Sequence, residues 1–148
     1  MVGLPGSGKS TYAANAGGFS LSSDEIRRWL SDDPANQEIH SRVFAVLRNL
    51  FKHRLELRRP LTHIDATNLT PRERRPYIKL AELYDADIEA VFFDVPVDEC
   101  QRRNRARDRV VADAVIVAMA ARMVRPTVEE GFSRVSFVRP PVTPAISA

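Results

Sequence analysis

The first ten residues, MVGLPGSGKS, constrain this chain more than any other stretch. Gly3, Gly8, Lys9 and Ser10 fit G-x-x-x-x-G-K-[ST], a loop whose inward-turned backbone N–H groups hold phosphate oxygens. Such a loop hangs between a buried strand and a helix, and the helix N-terminus favours an anion. Only Met1 and Val2 precede it, whereas a typical strand has about five or six residues. The first strand is therefore expected to be missing, truncated or replaced. The simplest expectation is a reading frame that continues upstream as an apolar, β-branched run ending at Val2.

Beyond the loop, strand signals alternate with helix signals. A helix is expected over Lys9–Ala16, ended by Gly17–Gly18, then a strand at FSLS (19–22). Ser22 and Glu25 have capping-box spacing and open a second helix, with Ile26, Trp29 and Leu30 expected toward the core. Asp33 and Pro34 look like the next helix start. Ile39, Val43, Val46, Leu47, Leu50, Phe51 and Leu55 then recur at helical spacing, predicting one amphipathic helix over 35–58. LTHIDATN (61–68) reads as a strand running into a polar turn. Thr70, Pro71 and Glu73 form a second capping box that opens a helix to Tyr84.

IEAVFFDV (88–95) is apolar almost throughout, as suits a strand covered on both faces. A helix from Val97 into the following arginines, another over Asp113–Val124 and a strand at RVSFV (134–138) complete one domain, 1–138. A frayed proline-rich tail, 139–148, follows. The alternation implies right-handed crossovers and a parallel sheet between helical layers, the three-layer α/β/α P-loop fold. Ligands in such sheets bind outside the carboxyl ends of the strands. That rule puts the phosphate loop, Ser23–Arg27, Asp65–Asn68 and the end of FFDVP on one rim.

Composition narrows the class. With a single cysteine, Cys100, in 148 residues, a disulfide framework is excluded and a reducing, cytoplasmic setting is expected. No apolar run approaches the ~18 residues of a membrane span, so no membrane partner is expected. The net charge of +3 is modest, but arginines crowd at 102, 103, 105, 107 and 109, and again at 72, 74 and 75. Such clusters read either as solvated helix faces or as sites for a polyanion. The phosphate loop favours the second reading.

Lys9 is the residue expected to reach the β/γ-phosphates, and the Ser10 hydroxyl the one expected on Mg²⁺. Gly3, Pro5, Gly6, Ser7, Gly8 and Thr11 complete the nucleotide cradle. Asp24 and Arg27 lie three apart and so share a helix face. They read either as a first-turn acid with a surface arginine, or as a base for an attacking hydroxyl with a clamp for an acceptor phosphate. Asp65 either supports Mg²⁺ through water or orders the turn with Thr67 and Asn68. Arg103 and Arg107, four apart, are expected on one helical face as lid arginines over the transferring phosphate. His40, His53 and His63 have no metal-ligand spacing with Cys100 or each other. Trp29 reads as core, and Cys100 as a small helix residue.

The ordered set GLPGSGKST, SSDEIR, DATNLTPRERR, FFDVPVDECQRRNRARDR and VIVAMAARM resembles, nearly end to end, the 5′-hydroxyl polynucleotide kinase domain of phage and bacterial end-healing enzymes, within the P-loop kinase superfamily. PTVEEGF before the last strand is similar to the bacterial stand-alone forms. The resemblance implies ATP and Mg²⁺ as cofactors and a nucleic-acid 5′-OH end as acceptor. It implies Asp24 as general base, Arg27 on the acceptor's phosphate, and Arg107 as the lid arginine with Arg103 in support. Ala112 stands where family members usually carry proline, and the phage enzyme's phosphatase signature is absent. Relatives of this architecture also phosphorylate nucleotide sugars and small metabolites, so a small hydroxyl acceptor is the rival reading, and a non-catalytic ATP-binding switch a second. The sequence leaves the oligomeric state open.

Overall fold

The computed structural model describes residues 1–141. In chain order the elements are α1 (Lys9–Ala16), β1 (Phe19–Ser22), α2 (Ser23–Ser31), α3 (His40–Glu56), β2 (Thr62–Asp65), α4 (Pro71–Leu83), β3 (Glu89–Phe93), α5 (Val97–Asn104), α6 (Asp113–Arg122) and β4 (Arg134–Val138), with a single 3₁₀ turn at Val128–Glu130. All strand pairing is parallel: β1 with β2 and β3 with β4. Helical crossovers make every connection, as parallel neighbours require.

The two strand pairs meet through the first three residues. Val2 forms a parallel bridge with Phe92, donating to the Val91 carbonyl and accepting from the Phe93 N–H, each at 2.8 Å. On the other side Gly3 N–H donates to Thr67 O at 3.0 Å, the Met1 amine to Ile64 O at 3.3 Å, and Asn68 Nδ2 to Met1 O at 2.8 Å. The expected single sheet is thus two pairs joined by a one-residue bridge, Val2 to Phe92. Beside it, between β2 and β3, opens a cavity of about 650 Å³ walled by Phe51, Tyr77, Ile88 and Phe132.

Helices cover the strands in two groups. Leu21 and Ile64 pack against Ile26, Val43, Leu47, Phe51 and Tyr77, which seats α2, α3 and α4 on β1 and β2. Phe93 and Val95 pack against Leu4, Leu69, Cys100 and Ile116, which seats α5 and α6 beside β3. Tyr12 of α1 meets Phe93 edge-on, with ring centroids 5.5 Å apart. This is the α/β/α arrangement expected of the phosphate-loop fold. No helix among the described residues is long and apolar enough to cross a membrane.

Some elements differ from the sequence reading. Helix α3 starts at His40 rather than at residue 35, because Asp33 Oδ1 accepts from Ala35 N–H and Asn36 Oδ1 from Glu38 N–H, each at 2.9 Å. These local side-chain bonds hold turns that compete with helix. Trp29 and Leu30 are 62% and 48% exposed, whereas Arg27 is buried. The inner face of α2 therefore belongs to Ile26 and Arg27. Helix α6 ends at Arg122, two residues short of Val124. In the tail, Arg139–Pro141 lie within the described residues, and 142–148 lie outside them.

Arg74 is not available to a polyanion. Its side chain is 2% exposed and pairs twice with Glu130, at 2.8 and 2.6 Å. It also donates to Asn68 O and Val124 O, so it ties α4 to the turn after β2 and to the segment after α6. Removing one partner of a buried ion pair strands the other charge, which costs about 3–5 kcal/mol. Arg74→Met, which keeps the apolar stem, is expected to lower stability by about that amount in urea denaturation. A loss under about 1 kcal/mol, the ordinary worth of a surface pair, would show that the clasp is incidental.

Candidate active site

One cavity of about 920 Å³ gathers the phosphate loop, the start of α2, the end of β2 and the turn after α5. Every loop residue from Pro5 to Thr11 lines it. The loop's shape follows from its glycines. At Gly6 φ is +80°, and a Cβ there would overlap the backbone carbonyl of Cys100 at α5. Gly3 lies behind the cavity, where a Cβ would come within 2.9 Å of Phe93 Cβ. Its role is close packing rather than contact with a ligand.

The loop ends on an anion-seeking helix terminus. Gly8, left-handed at φ 99°, caps α1, with no side-chain cap and no acidic residue in the first turn. The first N–H groups of a helix have no partner within it, so these stay available to phosphate oxygens. The Ser7 hydroxyl is buried and has no partner among the described residues. Lys9 Nζ donates to Gly3 O at 2.9 Å and Leu4 O at 2.8 Å, which curls the ammonium under the loop. Ser10 Oγ donates to Asp65 Oδ2 at 2.7 Å. A hydroxyl on a carboxylate at the end of β2 suits the hard oxygen ligation of Mg²⁺. The residues present fit a nucleotide's phosphates with their metal ion.

Beside the loop, Asp24 collects three guanidinium groups. Arg27 Nη1 lies 3.4 Å from its carboxylate, Arg107 Nη2 lies 3.5 Å away, and Arg109 Nη1 makes the closest contact. Ser22 caps α2 by accepting from Glu25 N–H at 3.3 Å, which fixes the helix start that presents Asp24. The Arg27 side chain is only 4% exposed, and its buried Nε has no partner among the described residues. Burial, with the charge of Arg109 added, pushes the Arg27 pKa below its ordinary value, and Asp24 opposes the shift.

The sequence reading of the lid needs correction. Helix α5 ends at Asn104, so Arg107 lies in the following turn and not on a helical face with Arg103. The buried Asn104 side chain shapes that turn, donating to Val111 O at 2.6 Å and accepting from Val111 N–H at 3.1 Å. Arg103, in the last turn of α5, bonds Glu99 at 2.6 Å, and both Arg103 and Arg107 line the cavity. Asp65 and Thr67 also line it, whereas Asn68 turns away to hold Met1. Cys100 is fully buried, and burial raises its thiol pKa, as for an inert core cysteine.

Some lining residues escaped the sequence reading, which took Arg109 only as one of an arginine cluster. Arg109 pairs with Asp24 across 85 positions, a contact no local spacing signals. His40 and Phe44 line the cavity from α3, and Gln37 from the turn before it, while Val138–Pro141 close the far rim. His40 and Phe44 are a helical i,i+4 pair, and that spacing is their only trace in sequence. Among the described residues no group of three or more His, Cys, Asp or Glu side chains could by itself hold a metal ion.

Comparison with known proteins adds one match: the family model described as AAA domain covers residues 1–126. No curated protein matches the chain.

The buried Lys9 sets a pH dependence. Burial pulls its pKa from 10.5 down to about 8, and Asp65 opposes the shift. A lysine with a depressed folded pKa adds stability above its unfolded pKa and loses it as pH falls through about 8. Bound phosphate favours the charged form, so nucleotide affinity should be full below pH 8 and decline above it, by up to about tenfold per unit. Titrating nucleotide binding from pH 7 to 9.5 tests this. A flat profile, or the same decline in Lys9→Met, would remove Lys9 from the phosphate site.

Proposed function

The chain belongs to the AAA-domain family of P-loop nucleotide-binding, kinase-like proteins, and we propose that it is an ATP- and Mg²⁺-dependent kinase whose acceptor is the 5′-OH end of a polynucleotide. The observation that carries this reading is the shared cavity. The phosphate loop, the Asp24 carboxylate and the buried Arg27 all line it, so a donor phosphate and an acceptor hydroxyl have adjacent places.

The chain's own residues supply positioning and charge. Loop N–H groups and Lys9 hold the triphosphate, and Ser10 with Asp65 holds the metal. When bound, Mg²⁺ offsets the charge on the transferring phosphoryl group. The Asp24 carboxylate accepts the proton of the acceptor hydroxyl as that oxygen bonds to the γ-phosphorus. The bond from the γ-phosphorus to the bridging oxygen breaks, and ADP leaves with that electron pair. Arg107 and Arg103 draw toward the γ-phosphate, and Arg27 takes the acceptor's own phosphate through a charge-assisted contact.

Asp24→Asn keeps size and most hydrogen bonding but cannot accept the proton. Its turnover should fall by about 10²–10⁴, the usual range for a general base, with nucleotide affinity little changed. Radiolabelled-ATP assays over 5′-OH oligonucleotides and small hydroxyl compounds measure this. Near-normal turnover by the variant would strip Asp24 of its role, and no acceptor-dependent turnover by the parent would leave a binding switch.

Arg27 generates a second expectation. A nucleoside 3′-monophosphate should be the minimal acceptor, with the unphosphorylated nucleoside poor, and Arg27→Ala should erase that preference. Equal use of both by the parent protein would point to a small hydroxyl acceptor instead.

A further inference from the structure

Past Arg27, the wall of the cavity is aromatic. His40 and Phe44 stand one helical turn apart on α3, with ring centroids 4.7 Å apart and planes tilted by 42°, and both line the cavity that holds Asp24. Phe44 is partly buried against the core formed by Val43, Leu47 and Ile26, which fixes one side of its ring. His40 is held below its ordinary pKa by burial and by the charge of Arg27, so the same guanidinium influences this wall. Arg27 lines the same cavity, and its buried Nε has no partner among the described residues. Gln37, which also lines the cavity, adds an amide able to donate and accept.

We propose that His40 and Phe44 form the platform that receives the nucleobase of the acceptor. The inference rests on the reading of this cavity as a kinase site and names what that site selects. A nucleoside whose 5′-hydroxyl meets Asp24 and whose 3′-phosphate meets Arg27 must place its base against a neighbouring wall. The wall beside Arg27 is this ring pair. Stacking on a π-face accepts every base, so the platform selects for a base without selecting which one. A sugar phosphate without a base gains nothing from it. His40 and Phe44 are thus specificity-determining residues for nucleotide over sugar-phosphate acceptors.

The test measures binding and turnover side by side, using adenosine 3′-monophosphate and ribose 3-phosphate as probes. Calorimetry on the parent protein should show the nucleotide bound about 10- to 100-fold more tightly, the range of base–aromatic stacking. Phe44→Leu keeps apolar volume against the core but removes the π-face, and should bring the ratio near one without shifting the melting temperature. Phe44→Tyr, which keeps the ring, should restore it; a merely structural role for the ring would instead lower the melting temperature of Phe44→Leu and weaken the binding of both probes alike. Equal binding of the two probes by the parent, or an unchanged ratio in Phe44→Leu, overturns the platform. Turnover without base preference would reject the platform and keep the kinase reading. Base-dependent binding without phosphoryl transfer would keep the platform and reject the kinase reading.

Discussion

The backbone pairing of Val2 with β3 is the contact on which the rest of the molecule turns. Two hydrogen bonds at 2.8 Å dock Val2 on Val91 and Phe93, and Gly3 and Met1 reach the β2 side. Without this bridge the β1–β2 pair and the β3–β4 pair share no backbone ladder. The phosphate loop springs from the same residues, so the link that joins the sheet halves also anchors the loop. Val2 and Leu4 are among the most buried side chains of the chain, and a buried backbone group must find a partner. Satisfying Met1–Gly3 therefore fixes both the sheet's centre and the loop's origin. Asn68 makes the same point from the other side: it spends its amide on Met1 rather than on a ligand.

Positive charge sets the second constraint. Lys9, Arg27 and Arg74 are all buried, and burying a charge is costly unless it is paired. Arg74 has a complete answer in Glu130 and two carbonyls, and it is structural. Among the described residues, Lys9 has only carbonyl oxygens as hydrogen-bond partners, and Arg27 has one long contact to Asp24 and an Nε without a partner. The two incompletely compensated cations both line the cavity. An anionic oxygen in the cavity would add charge compensation to both.

Much of this was legible in the sequence where local chemistry decides. The loop, α1 and β1 fall where Gly8, Gly17 and Ser22 punctuate the chain, because caps and left-handed glycines act over one or two residues. Long-range competition was not legible. Apolar side chains on α2 suggested Trp29 and Leu30 inside, yet a nine-residue helix gives its inner face to Ile26 and to an arginine facing the cavity. Helical periodicity overran the turns at 33–38, since Asx bonds leave no mark in a hydrophobic pattern. The site was legible through its loop and through Asp24 with Arg27. Arg109, His40 and Phe44 enter it from distant segments, and only the fold places them there.

That division bears on how such a site can specialise. The phosphate-loop part of the cavity is built from the consecutive residues Pro5–Thr11 and their immediate supports, so its geometry stays tied to the sheet's centre. The part of the cavity around Asp24 is assembled from α2, the turn before α3, the start of α3 and the stapled turn after α5, none of which contributes to strand pairing. Substitutions there change what stands beside Asp24 without loosening the Val2 bridge. On the reading proposed above, the reaction is fixed by the part of the chain that also holds the fold together. The acceptor is chosen by side chains, Arg27, His40 and Phe44, two of which lie on a helix whose inner face is already secured by Val43, Leu47 and Phe51. On that reading, a phosphate-loop domain of this size keeps its chemistry constant while the wall beyond Arg27 determines which hydroxyl it accepts.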